Sequence, residues 1–247
     1  MEDIWLVSLG LYGFLIAYAI YMLFTYRTDP RYSLAYEKPP SFKRLLWLAS
    51  LEKLVLLLLL VVFALVPQRA LLTVFSLDTI QFTLPMFVVG IISGVLIFVG
   101  GLPVNLLISA ARHKFSIPPT KRETELSQLL TISMSQPSAH LFLNVFVASI
   151  LASVLEEIIF RGYLQGHLAF LIFPLVAVVL QAIFAFVPQL YQGVYNALLS
   201  LYGGILFGVV FLLSGSLLAA IVAHITQDIV GLAFTFSTTK KKKMTQS

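Results

Sequence analysis

Two adjacent glutamates and an arginine interrupt an otherwise apolar stretch, and their types and spacing make them the strongest candidates for chemistry in this sequence. Glu156 and Glu157 follow an apolar run that begins at Leu141, and Arg161 comes four residues after Glu157. In a helix, Glu157 and Arg161 share one face and can pair, whereas Glu156 points about 100° away and is freer to act on a substrate. An unpaired charge at membrane depth costs roughly 3 kcal/mol or more, so such clusters normally face the protein interior and mark function.

A second polar pair lies closer to the C-terminus. His224 and Asp228 are four residues apart in a run otherwise made mainly of Leu, Ala, Ile and Val. A carboxylate one helical turn from an imidazole can fix the tautomer of the ring or raise its basicity. The alternative is that the two side chains only join neighbouring helices by hydrogen bonds. Because intramembrane charges normally face the bundle interior and pair with one another, we expect this pair to meet the glutamates.

The composition indicates that membrane helices position these residues. The chain has 247 residues, of which 59% are hydrophobic and 11% charged, whereas a soluble domain carries roughly 25% charged residues. Backbone polar groups in lipid must be satisfied internally, and apolar runs of this length favour helices over a barrel. We therefore predict an all-α fold, a polytopic membrane helical bundle. The absence of cysteine excludes disulfides, thiolate catalysis and cysteine-ligated zinc.

The apolar runs predict about seven transmembrane helices. They are Ile4 to Phe24, Leu45 to Val66, Leu84 to Ser109, Leu141 to Gln165, Leu168 to Val187, Val194 to Leu213 and Leu217 to Phe236. Pro188 is expected to end the fifth helix, and four glycines at positions 90, 94, 100 and 101 allow close helix contact in the third. We divide the chain into N-terminal membrane helices with an amphipathic cytoplasmic loop (1–139, the loop helix at 121–130), a core (140–236) and a basic cytoplasmic tail (237–247).

The distribution of basic residues predicts the orientation. Lysines and arginines follow the first, third and seventh predicted helices and are scarce in the other connections. By the positive-inside rule, the N-terminus lies outside and the C-terminus in the cytoplasm. This distribution accounts for the net charge of +5 without nucleic acid, and the four lysines at positions 240–243 suit an anchor for lipid headgroups. We expect a multi-pass protein of the bacterial cytoplasmic membrane whose partners include membrane lipids but no nucleic acid.

The two polar constellations together resemble a known family. Glu156-Glu157-x-x-x-Arg161 resembles the first motif of the CPBP family, which comprises type II CAAX prenyl endopeptidases and bacteriocin-processing or Abi-type membrane proteins. His224-x-x-x-Asp228 resembles its last motif, and Gly204 to Gly208 lies where the family has a glycine-bearing span. The resemblance covers roughly Leu141 to Ala233. It implies hydrolysis of a peptide bond within the membrane, in a lipidated or hydrophobic substrate.

One motif departs from the family pattern. The middle motif of the family is Phe-x-x-x-His, but after Phe184 this chain has Pro188 where histidine is expected, followed by Gln189. Gln189 can donate a hydrogen bond to an oxyanion or hold a water molecule, but it cannot exchange a proton near neutral pH. Two functions therefore stay open: an intramembrane peptidase, or a catalytically impaired relative that acts as a membrane scaffold, partner subunit or immunity factor. A third possible function is a transporter with a proton path. The sequence shows none of the inverted repeats that are typical of such transporters.

Roles for the site residues follow from their chemistry. We expect Glu156 to be the general base that activates water, and Arg161 to hold and orient Glu157. His224 would position the water or stabilise the oxyanion, with Asp228 holding the imidazole. A catalytic zinc site needs about three protein ligands, commonly two or three histidines, so we expect a glutamate-activated water without a cofactor and leave zinc open. The expected partner is a hydrophobic or lipidated peptide, or a membrane protein.

Overall fold

The computed structural model describes residues 76–120, 123–124, 139–190 and 193–244, together with Leu54 and Leu58. These residues contain helices and connections but no strand. The first predicted transmembrane helix, the second apart from Leu54 and Leu58, and most of the predicted amphipathic helix 121–130 lie outside the described residues. The all-α prediction is confirmed for the part of the chain that is described.

Six α-helices and one π-helical segment follow a short 3₁₀ turn at Leu77–Thr79. They are α1 (Leu84–Lys114), α2 (Ala139–Glu157), the π segment (Ile158–Gln165), α3 (Gly166–Leu171), α4 (Pro174–Gln189), α5 (Val194–Ser214) and α6 (Leu217–Met244). Within the described residues, three stretches are long and apolar enough to cross a membrane: α1, α5 and the Leu217–Thr235 part of α6. About 20 residues at 1.5 Å each span the hydrocarbon core. The full count of seven and the orientation of the termini remain predictions.

The prediction of one continuous fifth helix from Leu168 to Val187 is wrong. The chain leaves the helix at Ile172, whose backbone is extended, and α4 begins at Pro174. Proline disfavours the helical conformation of the residue before it but is well suited to the first position of a helix. The second proline does not end α4 at Val187 either, since the helix continues to Gln189.

Glycines bring α1 and α6 into close contact. A Cβ at Gly90 would lie 2.6 Å from the Cβ of Val222, and one at Gly94 would overlap the carbonyl oxygen of Ala223. Any larger residue at these two positions would push the helices apart, so the expected role of both glycines is confirmed. The same contact fixes the depth of α6, which carries His224, against the long helix α1.

The π segment forms the centre of the apolar core. Every residue from Ile159 to Gln165 is buried. Its apolar side chains pack against Leu168 of α3 and against Ala177 and Ala185 of α4. A π-helix is rare and is found mostly at functional sites. Here it follows directly after the two glutamates and contains Arg161, so the least regular turn of the bundle lies beside the charged residues.

A carboxylate outside the apolar helices joins three chain segments. The Glu123 carboxylate accepts hydrogen bonds from the N–H of Thr120 (2.8 Å) and from the N–H of Tyr195 in the first turn of α5 (3.2 Å). It also lies 2.9 Å from an Arg112 nitrogen near the end of α1. The Thr120 hydroxyl accepts from the Glu123 N–H in return (3.2 Å), which completes a capping box. Gly193, with φ of 99°, lies against the Glu123 side chain and leaves no room for a Cβ.

Candidate active site

Glu157 is the centre of the charged cluster. It is the last residue of α2, and its side chain is 0% exposed. One carboxylate oxygen, Oε1, lies 3.0 Å from Nη1 of Arg161 and 2.7 Å from Nδ1 of His224. A buried carboxylate is tolerated only when it is paired and hydrogen-bonded. Glu157 has both partners, and it links the two predicted constellations directly.

Arg161 connects this carboxylate to α5. Its side chain is 2% exposed, and Nη2 donates a hydrogen bond of 3.0 Å to the carbonyl oxygen of Gly204. The guanidinium carbon also lies 5.4 Å from the ring centroid of Phe207, within the range of a cation–π contact. The pairing with Glu157 that the four-residue spacing predicts is therefore present, and it is held in place by a second helix.

The imidazole of His224 has one fixed orientation. The ring stacks on Phe207, with centroids 4.4 Å apart and planes inclined by 21°. Because Nδ1 donates to the Glu157 carboxylate, the neutral ring presents Nε2 as an acceptor on its opposite side. Nε2 lies 3.8 Å from Oε2 of Glu156 and 3.9 Å from Oδ2 of Asp228. Both separations are too long for direct hydrogen bonds and lie in the range that a water molecule bridges.

The expected role of Asp228 in holding the imidazole stays a prediction. The ring donates its short hydrogen bond to Glu157, whereas Asp228 lies 3.9 Å from Nε2. The Asp228 carboxylate instead lies 2.8 Å from the hydroxyl of Ser153, which is buried in α2. Glu157, the last residue of α2, bonds to Nδ1, whereas Asp228 lies one turn along α6 from His224.

The two glutamates differ in exposure. The Glu156 side chain is 17% exposed, and those of His224 and Asp228 are 13% and 32% exposed. Glu157 is fully buried. Glu156, His224 and Asp228 are therefore partly exposed, whereas the Glu157 side chain that accepts from Nδ1 is fully enclosed. This difference agrees with the expected division between a reacting Glu156 and a supporting Glu157.

Two buried glutamines in the same region were not expected from the sequence. Nε2 of Gln181 in α4 donates to the carbonyl oxygen of Gly204 at 2.9 Å, and Nε2 of Gln165 donates to that of Gly208, also at 2.9 Å. Both amides fit because Gly208 has no side chain: a Cβ there would lie 2.7 Å from the Gln181 amide nitrogen. Gln181 is the only polar residue of the α4 sequence before Gln189, which is the signal that could have identified it.

Several buried polar atoms of the cluster have no hydrogen-bond partner among the described residues. They are Oε2 of Glu157, Nε of Arg161, Oε1 of Gln165 and Oε1 of Gln181. Groups of this kind are costly to bury and are rare in apolar cores. The interior between α2, α4 and α5 is therefore a polar region inside an apolar bundle.

The weaker candidates from the middle motif lie further along α4. Phe184 packs, partly buried, against the apolar core around the π segment, and Gln189 is the partly buried last residue of the helix. Gln181, which reaches the Gly204 carbonyl, precedes Pro188 by seven residues, or ~10 Å along a helix. An oxyanion or substrate role for Gln189 and Phe184 stays a prediction.

A metal site was not expected. Within the described part of the chain, no three His, Asp or Glu side chains are arranged as ligands of one metal ion. The expectation about cofactors remains a prediction.

Comparison with known proteins agrees with the motifs. No curated protein and no solved structure matches the chain. A family model does match residues 138–230, which include both constellations and the helices that carry them but less than half of the chain. Together with the three apolar helices, this match indicates an integral membrane protein. Residues 138–230 are thus similar to the type II CAAX prenyl endopeptidase Rce1-like family, and the resemblance that the motifs predict is confirmed over that segment.

Proposed function

We propose that the protein is an intramembrane peptidase that hydrolyses a peptide bond in a hydrophobic or lipidated substrate. The observation that carries this proposal is the gap of 3.8 Å between Oε2 of Glu156 and Nε2 of His224 on the accessible side of the cluster. One water molecule can bridge two acceptors at this separation. The similarity to a protease family supports the same reaction class.

The arrangement suggests how the water would react. The water donates one hydrogen bond to the Glu156 carboxylate and the other to Nε2 of His224, which leaves its lone pair directed at the carbonyl carbon of the substrate. As the new C–O bond forms, Glu156 takes the proton from the water. The C–N bond then breaks, and Glu156 passes that proton to the leaving amine. Of the two roles expected for His224, the acceptor at Nε2 favours positioning the water.

The other residues of the cluster hold Glu156 and His224 in position. Glu157 fixes the tautomer of His224 through Nδ1, and Arg161 holds the Glu157 carboxylate in place by pairing with it. Ser153 holds Asp228 beside Nε2, where its carboxylate can accept a hydrogen bond from the substrate amide. Each partner is supplied by a helix, so the geometry is set by packing rather than by loops.

The test is peptide cleavage by the full-length protein in lipid nanodiscs, followed by mass spectrometry of hydrophobic and prenylated peptides. We expect Glu156→Gln to lower kcat by roughly 10²- to 10⁴-fold, the contribution typical of a general base. Asp78→Asn is the matched control, because it makes the same charge change at an exposed residue of the 3₁₀ turn. Equal cleavage by wild type and Glu156→Gln would refute the proposal.

A second candidate is a relative that binds a hydrophobic peptide or a partner membrane protein without hydrolysing it. Gln181 favours this reading, because α4 reaches the cluster with a carboxamide that cannot exchange protons. This function predicts a complex that survives Glu156→Gln in pull-down experiments from solubilised membranes. Loss of every partner on purification would count against it.

A further inference from the structure

A second polar region is lined by residues of α1, α5 and α6. It is a cleft of about 160 Å³. Its apolar walls are formed by Phe98, Leu102 and Leu199, and its polar lining by Asn105, Tyr202 and Gln227. Small-molecule pockets begin at roughly 300 Å³, so the cleft suits a short piece of a larger ligand rather than a whole molecule.

The polar lining of the cleft has unused hydrogen-bonding capacity. Neither the Asn105 nor the Gln227 carboxamide has a hydrogen-bond partner among the described residues. The Tyr202 hydroxyl donates to the carbonyl oxygen of Ile97 at 3.2 Å and keeps its lone pairs free to accept. Both residues are only partly buried, so a ligand in the cleft can reach their carboxamides. A ligand that supplies both donors and acceptors would pair with them, and a hydrocarbon chain would not.

The cleft is adjacent to the proposed reaction site. Gln227 lies three residues after His224 on α6, less than one helical turn away. Gly203, at the edge of the cleft, precedes Gly204, whose carbonyl accepts from Arg161. The Phe207 ring, packed with Ile97 and stacked on the imidazole, stands between the two regions. A chain that lies in the cleft would therefore pass within a few ångströms of the helix turn that carries His224.

We propose that this cleft binds one residue of an extended peptide, with Asn105 and Gln227 hydrogen-bonding to its backbone amides and the apolar walls contacting its side chain. A carboxamide has the same donor and acceptor as a peptide group, so the two can bond reciprocally. The inference rests on the proposed peptidase function, because it names the part of the protein that would hold the substrate next to the scissile bond. Asn105 and Gln227 are specificity-determining residues in this proposal, since they act on the substrate away from the reacting atoms.

The experiment uses the full-length Glu156→Gln protein in nanodiscs, so that binding is measured without turnover. The probe is a blocked tri-leucine peptide (N-acetyl, N-methylamide) whose central leucine carries a photoreactive diazirine. A matched probe has both amide nitrogens that flank the central residue methylated, which removes its two donors. Cross-linked positions are mapped by mass spectrometry, and affinity is obtained by competition with the unmodified peptide.

We expect saturable cross-links to α1, α5 and α6 at the residues that line the cleft. Asn105→Leu and Gln227→Met should each lower the affinity for the probe with unmethylated amides by roughly three- to tenfold. This is the range for the loss of one neutral hydrogen bond. They should weaken binding of the methylated probe by a smaller factor, because that probe keeps only its carbonyl acceptors. Leu106→Met is the control, because this neighbouring residue of α1 is 71% exposed and outside the cleft.

Equal binding of both probes to the Glu156→Gln protein would overturn the inference, and so would cross-links confined to other helices. The probe comparison does not depend on any further substitution, so it stands even if a cleft variant folds poorly. Cleavage by wild type without saturable cross-linking at the cleft would remove only this inference. Saturable cross-linking without cleavage by wild type would remove only the peptidase.

Discussion

Replacing Arg161 by methionine tests whether the charged cluster is held together by the buried ion pair. The substitution keeps an unbranched side chain of similar length but removes the only cation that pairs with Glu157 among the described Lys and Arg residues. Glu157 would then be a fully buried carboxylate with one remaining partner, Nδ1 of His224. Its second oxygen already lacks a partner within the described residues.

The size of the effect follows from the burial of both groups. Breaking a buried ion pair by removing one partner costs roughly 3–5 kcal/mol. We expect the lower end, about 3 kcal/mol, because the carboxylate keeps the histidine. The Gly204 carbonyl keeps Gln181 as a donor, so no further group is left unpaired there. For a chain of this size, about 3 kcal/mol corresponds to a fall in Tm of roughly 6–12 °C.

Thermal unfolding in detergent, followed by circular dichroism, measures this change. Arg112→Met is the matched control. Its ion pair with Glu123 has nearly the same length, 2.9 Å, but the Arg112 side chain is 21% exposed. After the substitution the Glu123 carboxylate keeps the N–H groups of Thr120 and Tyr195 as donors. We therefore expect a loss of about 1 kcal/mol, the upper end for pairs near the surface, and a fall in Tm of less than about 4 °C. A double variant, Arg161→Met with Glu157→Gln, should recover part of the loss because no unpaired charge remains buried.

Two outcomes would refute this reasoning. One is a loss of Tm in Arg161→Met no larger than the loss in Arg112→Met. The other is a double variant that is no more stable than Arg161→Met alone. Either outcome would show that the fold does not need the buried Arg161–Glu157 ion pair for its thermal stability.

Three further predictions concern other parts of the structure. Ser153→Ala removes the hydroxyl that lies 2.8 Å from the Asp228 carboxylate. We expect kcat for peptide hydrolysis to fall roughly 10- to 100-fold because that carboxylate is misplaced. An unchanged kcat at equal Tm would contradict a positioning role for Ser153. Gly193→Ala should lose about 1–3 kcal/mol in thermal unfolding from its positive φ and its overlap with Glu123, and more than Gly215→Ala, where φ is also positive but a Cβ has open space. Burial alone would raise the pKa of Glu123, but hydrogen bonds from the Thr120 N–H, the Arg112 side chain and the Tyr195 N–H lower the pKa below its ordinary value of 4.5. The ionised carboxylate therefore contributes stability above about pH 4.5 that is lost as the pH falls through the lower folded value, so the Tm difference between wild type and Glu123→Gln should shrink on acidification; a constant difference from pH 7 to pH 3 would contradict it.

The sequence predicts the charged cluster well because charge is expensive in lipid. The i, i+4 spacing of Glu157 and Arg161 fixes their pairing on any helix, and the cost of isolated charges brings His224 to the same place. These contacts are present at 3.0 and 2.7 Å. The gap between Glu156 and His224 follows from the same helices, although its width could not be foreseen.

Details that depend on helix rotation could not be predicted. Whether Glu157 or Asp228 bonds to the imidazole depends on how α2 and α6 are rotated about their own axes. The π segment that follows α2 has a different number of residues per turn from an α-helix, so this rotation cannot be read from the sequence. Ser153 and Gln181 were missed because single uncharged polar residues are common in apolar helices and carry no charge penalty. The break before Pro174 was missed because hydrophobicity continues across it, even though the proline itself signals a helix start.

The local pairing of Glu157 with Arg161 has a consequence for biogenesis. Both residues belong to one continuous helical stretch, so their charges can neutralise each other as soon as that stretch is helical. The imidazole that also bonds to Glu157 lies 67 residues later in the chain. Glu157 therefore does not remain an unpaired anion until the last helix is synthesised. Docking of that helix adds the imidazole to a carboxylate that is already paired.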